Sequence, residues 1–214
     1  MWEIPLLLSM VTGARRSEIL GLAWQDVDLR SATIRICRGV QRMSGRDPAG
    51  PITFTALKTK RARRVIQLPA FALERIRTYR REQLERRTLL GARWQDPLDE
   101  ERAPVALVCE RGDGFFLHPD SFTHAFKRYA RLAGLHPSTR LHDVRHAVAT
   151  ELGRQGVHGV IVSAVLGHAS PAFTVAVYQQ HAWQDGPQEA AAALEKALGV
   201  GVSDVGNPLA RDAS

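Results

Sequence analysis

The alternation of apolar and polar positions predicts helices over much of the chain. Apolar residues recur at helical spacing in segments that open at prolines or end at glycines. The apolar run 4–11 is too short to span a bilayer, so we expect it to lie in the core. The predicted helices cover residues 17–24, 142–154, 159–166, 171–178 and 187–198. A further long helix is predicted to begin at Pro69, and another to run from after Pro119 to a C-cap at Gly134.

Two of these helices carry more detailed expectations. Thr12 is a candidate N-cap for the first. Pro69 opens an amphipathic helix in which Leu73, Ile76 and Leu84 share the apolar side, while arginines occupy the rest of its surface.

Strand-like segments are few and short. Residues 32–37, 52–57 and 64–68 have strand character, and a loop over 44–51 joins the first two, which indicates a small antiparallel sheet. Residues 105–109 form a short buried strand or extended segment. The fold class predicted is therefore α+β, mainly helical, without the strand-helix alternation of a nucleotide-binding fold.

Composition adds a charge asymmetry. The 214 residues include 29 Lys and Arg against 22 Asp and Glu, a net charge of +7, which favours a polyanionic partner. Only four basic residues are lysines, and Lys58 and Lys60 lie in one short segment. Cys37 and Cys109 are far apart and form no C-x-x-C pair, so we expect neither a disulfide nor a thiolate metal site, as in a reducing cytoplasm.

Four short motifs concentrate the reactive side chains. They are TGARRSE at residues 12–18, LHDVRH at 141–146, LGH at 166–168 and YQQH at 178–181. In this order they resemble the tyrosine recombinase (phage integrase) family, and the likeness runs from about residue 4 to residue 198 with a basic hairpin between the first two motifs. The catalytic positions that the resemblance implies are Arg15, Lys58, His142, Arg145, His168 and Tyr178.

The chemistry of these side chains suits phosphoryl transfer. Two guanidiniums can clamp the charge that gathers on the non-bridging oxygens of a phosphodiester, a role for Arg15 and Arg145. His142 and His168 can donate hydrogen bonds to that phosphate or help move a proton, and the sequence leaves the division open. The phenol of Tyr178, with an ordinary pKa of about 10, needs a base or a cationic site to become a nucleophile.

The leaving 5′-oxygen needs a proton, which a lysine supplies better than an arginine. Lys58 is preferred because the family's lysine commonly precedes a small residue in this hairpin, and Lys60 remains open. The resemblance further implies cleavage and rejoining of DNA through a 3′-phosphotyrosyl intermediate, without metal or cofactor. One departure is Ala147, where many relatives have threonine.

The resemblance also sets expectations for organisation. Residues 1–199 would form the catalytic domain and 200–214 a disordered tail, and the N-terminal DNA-binding domain that relatives usually carry is expected to be absent. The expected partner is double-stranded DNA, bound as a homotetramer that exchanges the C-terminal helix 187–198, in the cytoplasm and away from membranes.

Two other functions compete with this interpretation. His142 and His146 stand four apart and could share a metal, but Arg145 would place a cation beside it. A DNA-binding module without catalysis is the second alternative, and a covalent protein–DNA adduct distinguishes it from an enzyme.

Overall fold

The structure is a computed structural model that describes residues 1–43, 51–57 and 62–167. Within these ranges the α-helices are α1 (Glu3–Thr12), α2 (Arg16–Leu20), α3 (Ala70–Leu90), α4 (Pro119–Leu132), α5 (Leu141–Arg154) and α6 (Gly159–Leu166). The strands in the same ranges are β1 (Val27–Asp28), β2 (Thr33–Ile36), β3 (Arg38–Arg42), β4 (Ile52–Ala56) and β5 (Arg64–Gln67).

The strands form two antiparallel sheets in place of the single sheet expected. β2 lies between β1 and β5, with Ile34 opposite Ile66, and β3 pairs with β4, with Val40 opposite Phe54. The sequence missed β3, whose residues RGVQR have little strand character on their own. Pairing with β4 stabilises this segment, so tertiary contacts outweigh local propensity.

One core joins the sheets to the helices. Helix α1, the predicted core segment, packs against α2, α3 and α5. Residues 105–109 are largely buried, as expected, and Leu107 forms an isolated bridge with Ala23, but the chain bends at residues 108 and 109. Fully buried core side chains come from α1, α2, β2, α3 and α4, among them Leu8, Leu20, Ile34, Ile76 and Phe122.

The N-cap predicted for the first helix was wrong, although the helix starts at Arg16, one residue from the predicted start. Thr12 ends α1 rather than capping α2, and its hydroxyl donates to the carbonyl of Leu8 at 2.6 Å and accepts from the amide of Ala14 at 3.0 Å. Helix α2 also ends at Leu20, before the predicted end at residue 24. Gly21, which follows α2, packs so closely on β3 that a Cβ built there would lie 2.9 Å from the backbone of Gly39.

Helix α3 begins after Pro69 as predicted, but Leu84 does not belong to its buried side. Leu84 is 54% exposed, whereas Leu73, Ile76 and Tyr79 are buried. Gln83 is buried instead, and its amide donates to the carbonyl of Leu107 at 3.1 Å. A hydrogen-bonded polar residue therefore occupies a place that the apolar pattern gave to leucine.

The helices that follow agree closely with the sequence. Helix α4 begins at Pro119 and is followed by Gly134 with φ +72°, and α6 spans the predicted residues 159–166. The predicted helices 171–178 and 187–198 and the tail lie outside the described residues. In the part of the chain that the structure describes, no helix is long and apolar enough to cross a membrane.

Candidate active site

The turn between α1 and α2 positions Arg15. Gly13 takes the left-handed conformation, with φ +58°, and Arg15 is the extended residue that precedes α2. The carboxylate of Glu18 accepts from the Arg15 amide at 2.9 Å and from the Arg15 guanidinium at 2.8 Å. Because the Arg15 side chain is still 42% exposed, it is anchored at one edge and open to a ligand at the other.

Arg145 reaches the same place from α5. It is 4% exposed, and its Nη1 donates to the carbonyl of Gly13 at 2.7 Å. Its Nη2 donates to the carbonyl of Leu166, at the end of α6, at 2.6 Å. Both acceptors belong to helix C-termini, where the helix dipole favours a cation, so Arg145 joins three helices at one point.

Charge is unevenly balanced around these two arginines. Glu18 is 1% exposed and also pairs with Arg64 at 2.9 Å. Burial raises the pKa of Glu18, but the hydrogen bonds and charge of Arg64 and the hydrogen bonds of Arg15 outweigh it and hold the pKa below its ordinary value. Burial, followed by repulsion from Arg15 and Arg64, lowers the pKa of Arg145 to about 10. Three guanidiniums thus face one carboxylate, an excess that suits an anionic ligand.

His142 lies in the first turn of α5, three residues before Arg145, and is exposed to the cleft. Its ring stands perpendicular to that of His146, with 4.7 Å between centroids. Partial burial, His146 and Arg145 lower its pKa, against an opposing effect of Asp143. The imidazole is therefore mainly neutral at pH 7 and can donate or accept a hydrogen bond.

Two clefts meet at the start of α2. The first, about 740 Å³, lies between α2, the β3–β4 hairpin and the start of α4. The second, about 520 Å³, lies between α2, α4 and α5 and is lined by Arg15, His142 and Arg145. The structure thus brings three of the predicted site residues together in one cleft.

Lys58, His168 and Tyr178 lie outside the described residues. Leu57, which precedes Lys58, and Gly167, which precedes His168, both line the first cleft, as Arg15 does.

An acidic side chain also lies in the first cleft. Asp120 accepts a hydrogen bond from Arg16 at 3.2 Å and lies 3.7 Å from the guanidinium of Arg42. Arg16 is fixed further by Thr123, whose hydroxyl accepts at 2.7 Å. All three charged side chains are between 38% and 47% exposed.

The arginines of α3 line neither cleft. Arg86 and Arg87 pair with Glu110 and Asp96 at 3.0 and 2.7 Å, and Arg80 stacks over the ring of Trp24. Much of the positive charge on this helix therefore serves contacts within the protein.

The described residues provide no set of ligands for the alternative in which His142 and His146 bind a metal. Across the described ranges, no three His, Cys, Asp or Glu side chains are grouped as a metal would require. Cys37 and Cys109 are both free thiols.

Comparison with known proteins assigns the family. The model of the phage integrase family matches residues 3–184. The chain belongs to the phage integrase family. Within it, the chain is 31% identical to tyrosine recombinase XerD of Ralstonia nicotianae over 167 residues, 78% of this chain and 44% of that protein. It is 27% identical to a XerC-like tyrosine recombinase of Caldanaerobacter subterraneus subsp. tengcongensis over 176 residues, 80% of this chain and 44% of that protein. The chain thus spans less than half the length of these relatives.

Solved structures confirm the predicted fold. The Tn1549 transposon integrase in complex with a circular intermediate DNA gives a TM-score of 0.72 at 18% identity, covering 89% of this chain and 58% of that one. XerA recombinase gives a TM-score of 0.56 at 19% identity, covering 82% and 51%. The chain therefore has the α+β fold of family members.

Two buried residues of the site, Glu18 and Arg64, were missed from the sequence. Glu18 stands three residues after Arg15, at the spacing of a helix-capping carboxylate, which could have marked it. Arg64 offers no local signal, because its partners Glu18 and Val165 are 46 and 101 residues away.

Proposed function

We propose that the chain is the catalytic domain of a tyrosine-type site-specific DNA recombinase that cuts and rejoins DNA through a 3′-phosphotyrosyl intermediate. The observation that carries the proposal is the meeting of Arg15, His142 and Arg145 in one cleft. Arg145 bonds to a carbonyl 132 residues away to reach it. Such a cluster is what a phosphodiester in transit to a five-coordinate state requires.

Arg15 and Arg145 bind the non-bridging oxygens of the scissile phosphate. The arrangement supports this role because Arg15 is open to the cleft while Arg145 is held rigidly behind it by two carbonyls. His142 adds a hydrogen bond to the same phosphate, and His168 shares this work or moves the proton of the nucleophile.

In the chemical step, the Tyr178 oxygen attacks phosphorus and loses its proton to a nearby base. The bond between phosphorus and the 5′-oxygen breaks, and Lys58 donates the proton that the departing oxygen takes up. Rejoining is the reverse, with a 5′-hydroxyl attacking the phosphotyrosine. No step requires a metal or cofactor.

The partner in this proposal is double-stranded DNA, because the Tn1549 integrase and XerH recombinase structures that this chain resembles are complexes with DNA. Residues 1–199 act as the domain, with 200–214 as its tail. On DNA, four copies assemble and exchange the helix 187–198, in the cytoplasm of a bacterium. The resemblance to the family is the basis for each of these points.

A covalent adduct tests the reaction. The chain is incubated with a pool of nicked duplexes in chelator, adducts that resist denaturant are captured, and the attached DNA is sequenced to define a substrate. We expect adducts from the parent and none from Tyr178→Phe, which loses only the nucleophilic hydroxyl. Tyr129→Phe, at a 42% exposed tyrosine on α4, is the matched control and should react like the parent.

An adduct formed by Tyr178→Phe contradicts the assigned nucleophile. DNA binding without any adduct from the parent favours a binding module over an enzyme. Loss of the parent's adducts in chelator favours the metal alternative.

Lys58 is tested by changing the leaving group. Lys58→Ala should cleave ordinary DNA on the order of 10² to 10⁴-fold more slowly, if loss of acid catalysis dominates. It should recover on DNA whose scissile 5′-oxygen is replaced by sulfur, because a thiolate leaves without a proton. Lys60→Ala measured in parallel decides between the two lysines, and equal impairment of Lys58→Ala on both substrates excludes it as the acid.

A further inference from the structure

Arg64 is a buried cation that the proposed reaction does not use directly. It opens β5, and its side chain is 5% exposed. Its Nε donates to the carbonyl of Val165 at 2.6 Å, its Nη1 to the carbonyl of Ala62 at 3.0 Å, and its Nη2 to the carboxylate of Glu18 at 2.9 Å. One guanidinium therefore holds the end of α6, the start of β5 and the carboxylate that anchors Arg15.

The end of α6 is bound by three arginines in succession. Arg64 donates to the carbonyl of residue 165, Arg145 to that of 166 at 2.6 Å, and Arg15 to that of 167 at 3.5 Å. The last carbonyls of a helix lack partners within it and carry partial negative charge. Here these carbonyls accept hydrogen bonds from Arg15 and Arg145, the two proposed phosphate ligands, and from Arg64. All three guanidiniums are therefore held by the same stretch of backbone.

Gly167 allows this close approach. Its φ is +68°, and a Cβ built there would lie 2.9 Å from Nη1 of Arg64. The backbone that ends α6 thus rests directly against the guanidinium of Arg64. In sequence, the next residue is His168 of the proposed catalytic set.

We propose that Arg64 is a positioning residue for the strand-transfer reaction, acting through Glu18 on Arg15 and through the end of α6 on the clamp formed with Arg145. The inference rests on the proposed function. Arg64 lines neither cleft, whereas Arg145 lines the second, and the three guanidinium nitrogens of Arg64 all donate to acceptors within the protein. Its effect is therefore on the geometry with which Arg15 meets the scissile phosphate and not on DNA affinity.

Arg64→Lys separates geometry from charge. A lysine keeps the positive charge beside Glu18, but its single ammonium lacks the planar fork that reaches three acceptors in fixed directions. Arg154→Lys, at a 70% exposed arginine near the end of α5, is the matched control. Thermal unfolding and noncovalent DNA affinity are measured for each variant first.

The decisive assay is single-turnover cleavage of two versions of the substrate recovered from adducts. One carries the ordinary scissile phosphate, and the other a methylphosphonate that lacks the charge on one non-bridging oxygen. Arg64→Lys should cleave the ordinary substrate on the order of 10 to 100-fold more slowly at unchanged DNA affinity, as expected for a misplaced clamp. Most of this loss should disappear on the methylphosphonate, because less charge then needs the clamp. Arg15→Ala should show the same recovery, whereas Arg154→Lys should match the parent on both substrates.

An equal loss on both substrates, or a rate like the parent's on both, overturns the positioning role. If Arg64→Lys is unfolded, Glu18→Asp gives the same test, since the shorter carboxylate keeps its charge but cannot reach Arg15 and Arg64 together. Failure of the parent to form any adduct is a different result, which overturns the proposed function itself and this inference with it.

Discussion

Glu18→Gln should destabilise the protein far more than the loss of an ordinary ion pair. The carboxylate is 1% exposed and accepts three hydrogen bonds, two from Arg15 and one from Arg64, at 2.8 to 2.9 Å. Glutamine preserves the size of the side chain but removes its charge. The new amide group also places two donors against guanidiniums that are donors themselves.

The expected cost follows from burial. Removing one partner of a buried ion pair costs about 3–5 kcal/mol, because the remaining charge is left without compensation. An exposed pair contributes about 0–1 kcal/mol. We therefore expect the free energy of unfolding of Glu18→Gln to fall by about 3–5 kcal/mol. Asp120→Asn, at the half-exposed partner of Arg16, should lose less than about 1 kcal/mol.

The effect should depend on pH in a defined direction. The folded-state pKa of Glu18 is below its ordinary value of 4.5, so the carboxylate contributes its stability above that pH. As the pH falls through the lower folded-state value, the parent protonates Glu18 and loses the contribution. The stability gap between parent and Glu18→Gln should be constant down to about pH 4.5 and narrow below it.

Urea unfolding followed by circular dichroism measures the gap. Inorganic phosphate should stabilise Glu18→Gln more than the parent, because an anion can occupy the guanidiniums that the carboxylate no longer neutralises. A loss no larger than that of Asp120→Asn at neutral pH would refute the reasoning. So would a gap that widens on acidification.

Two further predictions concern binding to DNA. Asp120→Asn should bind DNA more tightly than the parent, and fluorescence anisotropy over a salt series measures the binding constant. The plot of its logarithm against the logarithm of salt concentration should be steeper by about 0.9 for each arginine that becomes available to a phosphate. Glu74→Gln, which removes an acid from α3 outside both clefts, should leave the slope unchanged, and equal slopes for the two variants would contradict the role of the cleft. His142 should take up a proton when a phosphate binds, since its pKa is lowered in the free protein and a neighbouring anion raises it. DNA affinity should therefore strengthen from about pH 7.5 to pH 6 in the parent and in the control His136→Gln, but not in His142→Gln. Calorimetry in buffers of different ionisation enthalpy measures how many protons the protein takes up on binding. Equal proton uptake by His142→Gln and the parent would show that His142 is not the group that takes up the proton.

The spacing of residues close together in the sequence predicted part of the site. His142 and Arg145 stand three apart in a helical segment, so periodicity alone puts them on one face. The prediction that this pair lies close to Arg15 came from the family resemblance, because sequence spacing carries no information about residues so far apart. The structure brings the three side chains into one cleft, while their catalytic roles, and those of Lys58, His168 and Tyr178, stay predictions.

Local patterns failed where packing partners decide the outcome. The prediction placed Leu84 on the apolar side of α3, but the neighbouring Gln83 is buried instead, and its amide donates to the carbonyl of Leu107. Strand β3 is paired with β4 along its whole length, and Gly21, just after α2, lies against the backbone of Gly39 in β3.

The sequence by itself therefore determined the mainly helical α+β class, the bounds of α6 and the family motifs, because these depend on periodicity, turn residues and residues close in the chain. Only the tertiary structure decided that Glu18 and Arg64 are buried as an ion pair, that most of the arginines of α3 are engaged within the protein, and that Arg64 supports the end of α6. These features depend on contacts across 24 to 101 residues, and the same arginine is a surface charge or a buried anchor according to which carboxylate or carbonyl the fold brings to it.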